Sequence, residues 1–161
     1  MIQKEEMQVC ADEWIPEFIC MLEKGMKVKI APQGGSMLPL LDGKKDEVIL
    51  GKVEKILIPG DVVLYRRETG RYVLHRIHHI KEDGFYMIGD SQTWIEGPIE
   101  KNQIIAVAEE FVRKGKIIKC TDFSYRVWKK VWLKLRKSRP VWIHIWWRIH
   151  KIRKRMCVCW M

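Results

Sequence analysis

Three short segments carry the side chains that could do chemistry: Gly34-Gly35-Ser36-Met37-Leu38-Pro39, Leu74-His75-Arg76-Ile77 and Ile88-Gly89-Asp90-Ser91. A serine hydroxyl is a poor nucleophile until a base takes its proton and backbone donors receive the oxyanion. Ser36 follows two glycines, which let the chain turn sharply and leave amide N–H groups open to a substrate carbonyl. Alone, Gly-Gly-Ser would be an ordinary turn with a solvent-facing serine. His75 shares a strand face with Val73 and Ile77, and a neutral imidazole near pH 7 is the commonest general base. Asp90 ends a strand-like run and is the expected acid that orients His75, the alternative being an Asx-turn. Glu96 is a second candidate acid. The order Ser36, His75, Asp90 reads as a serine peptidase core with no cofactor.

Zinc is the rival use of His75, His78 and His79. On an extended strand His75 and His79 would lie about 13 Å apart, and His78 and His79 would point to opposite faces. One zinc at about 2 Å from each nitrogen does not join them, so no metal is expected.

The elements that must hold these residues follow from the pattern of apolar and turn residues. Between Glu5 and Glu23, apolar residues recur at helical spacing, with Gly25 as the stop and Pro16 predicting a kink or a break. From Met26 onward short runs take over: Met26–Ala31, Glu47–Leu50, Lys55–Ile58, Val62–Tyr65, Tyr72–Ile80 and Phe85–Ile88, separated by Pro-Gly-Asp and Glu-Asp-Gly turns. Ile104–Val112 and Lys116–Cys120 would close the domain as a hairpin. The expected organisation is a helical segment over 1–25, a mostly-β peptidase domain over 26–120 and a helical tail over 121–161.

The boxes resemble those of the superfamily that unites type I signal peptidases with LexA-like self-cleaving proteins. Residues 34–40, GGSMLPL, look like its Gly-x-Ser-Met-x-Pro nucleophile box, and 60–65, GDVVLY, like the strand that follows. LHRI, at 74–77, stands where the bacterial enzymes carry a lysine base. A histidine there, with Gly89-Asp90 after it, is similar to the endoplasmic-reticulum and archaeal branch. The resemblance covers roughly Lys24 to Lys119. It implies the family's mostly-β fold, Ser36 as nucleophile, His75 as general base and Asp90 as supporting acid. It also implies a peptide substrate bound as an added strand. Glu96 stands in the region where that branch places a further Asp.

Charge divides the chain. Residues 1–112 hold 14 Lys and Arg against 19 Asp and Glu, whereas 113–161 hold 16 against 1, and six of the eight tryptophans lie in the second part. Only this tail calls for a polyanionic partner. Trp128, Val131, Trp132 and Leu135 fall at i, i+3, i+4 and i+7. After Pro140 the pattern restarts with Trp142, Ile145, Trp146 and Ile149, with Trp147 widening the face. Two amphipathic helices on an anionic membrane surface are expected, with Trp128, Trp132, Trp142, Trp146 and Trp147 in contact with lipid. The competing arrangement packs one stripe on the β body. Nucleic acid is disfavoured, because these aromatics keep helical register with Ile, Val and Leu instead of forming a stacking platform.

Five cysteines, Cys10, Cys20, Cys120, Cys157 and Cys159, form no regular framework and suit a reducing compartment. A polar start without a cleavage site, and the lack of a long apolar run, point to a cytoplasmic protein peripheral to the membrane. The substrate expected there is a precursor peptide, such as the leader of a ribosomally made modified peptide. Two alternatives stand beside this: a catalytically silent member that holds peptides at a membrane, and LexA-like autoproteolysis.

Overall fold

Alternating strands punctuated by turn residues form one eight-stranded antiparallel sheet flanked by two helices, so the protein is mostly β. The computed structural model describes residues 11–43, 45–139, 141, 144 and 148. The strands are β1 (Val28–Ile30), β2 (Glu47–Gly51), β3 (Val62–Arg66), β4 (Tyr72–Lys81), β5 (Gly84–Ile88), β6 (Glu96–Ile99), β7 (Ile104–Arg113) and β8 (Lys116–Lys119). Their order is β1-β2-β7-β3-β4-β5-β6, with β8 also paired to β7. Alternation feeds two cores: Val62, Leu64 and Leu74 enter one, and Val63, Tyr65 and Ile77 the other.

Helix α1 (Ala11–Glu23) runs unbroken through Pro16. Ile15, Phe18 and Leu22 bury its inner face at about 2 kcal/mol each, which outweighs the roughly 3 kcal/mol of an interior proline. The helix stops at Gly25, whose φ is 74°. There Gly25 N–H donates to Leu22 O at 2.9 Å and Met26 N–H to Met21 O at 3.0 Å, the two bonds of a left-handed helix terminus.

Three expected features differ. Lys55–Ile58 forms no strand but an irregular loop with Ile56 89 % exposed. Strand β6 was not anticipated, because it contains Gly97 and Pro98. It sits at the sheet edge, where a missing N–H costs no ladder bond. At His78 the β4–β5 register shifts: Ile77 pairs with Met87 and His79 with Tyr86. This extra residue breaks the alternation, so His78 and His79 do not diverge to opposite faces. Their Nδ1 atoms stand 2.7 Å apart, with one ring donating to the other.

Helix α2 (Phe123–Lys134) and a short 3-10 turn (Arg136–Ser138) follow β8. They are part of the packed body. Tyr125 belongs to the first core, Lys129 Nζ reaches Asp61 Oδ1 at 3.2 Å, and Trp132 is 7 % exposed. Among the described residues no helix is long and apolar enough to cross a membrane.

Candidate active site

Ser36 stands in a turn that is nailed down on one side, since Met37, Leu38, Leu40 and Leu41 are all buried. The turn's other anchor is the loop after β5. Ser91 N–H donates to Ser36 O at 2.8 Å and Ser91 Oγ donates to the same oxygen at 3.1 Å. Gly89 makes this grip possible, since a Cβ there would lie 2.8 Å from Ser36 O. The Ile-Gly-Asp-Ser segment therefore fixes the Ser36 backbone.

His75 is brought to the same place by β4, with Val63 of β3 as its register partner. Ser36 and His75 line one groove of about 840 Å³, whose apolar wall includes Trp14, Ile30, Met37 and Leu74. Among the described residues no hydrogen bond joins Ser36 Oγ to His75.

The polar partner of His75 is Tyr65, diagonal to it across β3 and β4. Tyr65 Oη donates to Glu96 Oε2 at 2.9 Å and stands 3.3 Å from His75 Nδ1. A phenol has one proton. With that proton given to the carboxylate, Nδ1–H donates to Oη, and Nε2 is left with the lone pair. This is the tautomer a general base requires. Arg67 closes the relay, its Nε and Nη2 donating to the two Glu96 oxygens.

Electrostatics favour the same protonation states. Burial pushes the His75 pKa down to about 4, and the nearby Glu96 charge only partly opposes this, so the ring is neutral at pH 7. Burial would raise the Glu96 carboxyl, but hydrogen bonds from Arg67 and Tyr65 and the Arg67 charge outweigh it and hold it below the usual range. Burial, followed by the Glu96 charge, pushes the Tyr65 phenol up, so it stays protonated.

Asp90 does not occupy the position expected of it. Both of its oxygens are taken by Arg76, with Nε to Oδ1 at 2.8 Å and Nη2 to Oδ2 at 2.7 Å, and both side chains have zero exposure. Burial opposes the Arg76 charge, yet Asp90 keeps it firmly protonated. Arg76 Nη1 also donates to Gly60 O and Tyr125 Oη. The carboxylate joined to His75 is Glu96, through Tyr65; Asp90 locks the strand next to His75 and the loop that grips Ser36.

A further arginine supports that loop from the tail. Arg139, fully buried, donates to Gly89 O at 2.9 Å, to Gln92 O at 3.2 Å and to Trp132 O at 3.2 Å. Nothing in the sequence singled it out, because one Arg in a run of cations carries no positional signal. Trp128 and Trp132 stack on each other, centroids 5.5 Å apart, and Arg76 lies over Trp128 at 5.2 Å. Trp132 is thus not a lipid contact, since the helix turns it and Trp128 toward the body. Trp142, Trp146 and Trp147 lie outside the described residues, as do Cys10, Cys157 and Cys159. Burial raises the Cys120 thiol to about 12, which leaves it a poor nucleophile. Among the described residues no three His, Cys, Asp or Glu side chains are grouped to hold a metal.

No family model matches this chain, and neither does any curated protein or solved structure.

Proposed function

We propose that this protein is a serine peptidase of signal peptidase-like type that cleaves a precursor or leader peptide bound extended in the groove. The observation that carries the reading is the joint placement of Ser36 and His75 in one groove, with His75 neutral and Nδ1 engaged by Tyr65. In the reaction, Nε2 of His75 takes the Ser36 proton as Oγ attacks the scissile carbonyl carbon. The same proton passes to the leaving amine when the C–N bond breaks, giving a Ser36 ester. Water then attacks the ester, with His75 taking its proton and returning one to Oγ as the acid product leaves. Tyr65 and Glu96 hold the ring and stabilise the imidazolium that forms between these steps, a role the sequence assigned to Asp90.

The test is labelling with an active-site-directed serine acylating probe, read by intact mass on wild type, Ser36→Ala and His75→Ala. One adduct on wild type, lost in both variants, is expected. A folded wild-type protein that takes no adduct, or a Ser36→Ala variant that still does, overturns the assignment. The absence of a hydrogen bond between Ser36 and His75 favours a second reading, a catalytically silent peptide binder. Equal peptide affinity in wild type and Ser36→Ala, with no product from either, would establish it.

A further inference from the structure

The segment that begins at α2 carries charge of one sign: from Phe123 to Met161 there are 12 Lys and Arg and no Asp or Glu. Tyr125, Lys129 and Trp132 are buried against the body, and this fixes which side of α2 faces out. Phe123, Val127 and Val131, at i, i+4 and i+8, form a ridge on the opposite side with 81, 45 and 50 % exposure. Arg126, Lys130 and Lys134 flank that ridge and are exposed. The ion pairs among the described residues engage none of these three cations. The loop that packs on the flank of α2 through Asp61 and Lys129 exposes Ile56 and Ile58, 89 and 50 %. An exposed apolar ridge set among unpaired cations is the reverse of an ordinary solvated helix face.

We propose that this outward face of α2 docks on an anionic lipid leaflet. The cations meet headgroup charge, and Phe123, Val127 and Val131 sink to the boundary between headgroups and acyl chains. Single-stranded nucleic acid would satisfy the charges but not the ridge, because valine offers no surface for stacking a base. The contact residues are a different set from the tryptophans at 128 and 132, which the fold uses internally. This inference does not depend on the peptidase chemistry.

The experiment uses the full chain and co-sedimentation with phosphatidylcholine vesicles, with and without phosphatidylglycerol. Two variants are compared, Phe123→Ser/Val127→Ser/Val131→Ser and Lys130→Glu/Lys134→Glu; every altered residue is exposed, and circular dichroism confirms the fold. Wild type is expected to bind the anionic vesicles, less as salt is raised, and to leave neutral ones in solution. Each variant is expected to bind roughly tenfold or more weakly. Lack of wild-type binding overturns the proposal. Unchanged binding in either variant also overturns it, by assigning the lipid contact to another part of the chain. So does a single-stranded oligonucleotide that competes the vesicles off and binds both wild type and the apolar variant equally.

Discussion

Removing one carboxylate separates a catalytic Asp90 from a structural one. In Asp90→Ala, Arg76 loses the acceptors of Nε and Nη2 while its guanidinium stays at zero exposure; Gly60 O and Tyr125 Oη still serve Nη1. Breaking a fully buried pair from one side costs about 3–5 kcal/mol. Domains of this size are stable by only about 5–15 kcal/mol. At about 2–4 °C per kcal/mol, the variant should melt roughly 10 °C lower. Urea unfolding followed by tryptophan emission reads this directly, because Trp128 lies against the Arg76 guanidinium. Arg76→Met alone should be similarly destabilised, and Arg76→Met/Asp90→Leu should regain most of the loss, since two apolar groups leave no uncompensated charge. An Asp90→Ala protein within about 1 kcal/mol of wild type that no longer acylates Ser36 would refute the reasoning and return Asp90 to the role of acid.

Tyr65→Phe removes the acceptor of His75 Nδ1–H while Arg67 and Glu96 keep each other, so acylation of Ser36 should slow by roughly tenfold or more; a wild-type rate would remove the relay from the mechanism. With the His75 pKa held near 4, the acid limb of acylation should fall near pH 4 instead of about 6.5. The same shift fixes the sign for stability. Between about pH 4 and 6.5 the unfolded chain binds a proton that the folded chain refuses, so unfolding free energy should rise with pH, by about 3 kcal/mol over that window. His75→Phe should flatten this part of the profile, and an unchanged slope would contradict the assignment. In Gly89→Ala the new methyl meets Gln92 Oε1 at 2.6 Å, which can swing away, and Ser36 O at 2.8 Å, which cannot. A loss of about 1–3 kcal/mol with slower acylation is expected; an unperturbed variant would show that the loop does not grip Ser36.

The strand layout was legible because short apolar runs are bounded by Gly, Pro or Asp turns. The segments that bring Ser36 and His75 to the lining of one groove were legible in the same way. Lys55–Ile58 misled because a run of apolar residues resembles a strand whether or not a neighbour pairs with it. Glu96 ranked behind Asp90 as the partner of His75 for a geometric reason. Tyr65 reaches His75 only because β3 and β4 pair in one particular register, which brings Tyr65 diagonal to it, and no local pattern states that register. Strand alternation put Arg76 on the face opposite His75, where an arginine suggests solvent. In the fold, Tyr125 and Trp128 of α2 cover it. The direction of the tail's tryptophan stripe is equally a tertiary fact, since amphipathic spacing marks a face without saying what lies against it.

Arg139 has a consequence for where the folded unit ends. The last strand closes at Lys119, yet the side chain that holds Gly89 and Gln92 from behind comes well after it. A chain cut after β8 leaves the loop carrying Ser91 without that support, and leaves Arg76 and Asp61 without Tyr125 and Lys129. The helical segment that follows the sheet is thus a fastener for the loop that holds the Ser36 backbone. For transplanting or trimming the protein, the smallest portable unit therefore extends through Arg139, well past the final strand.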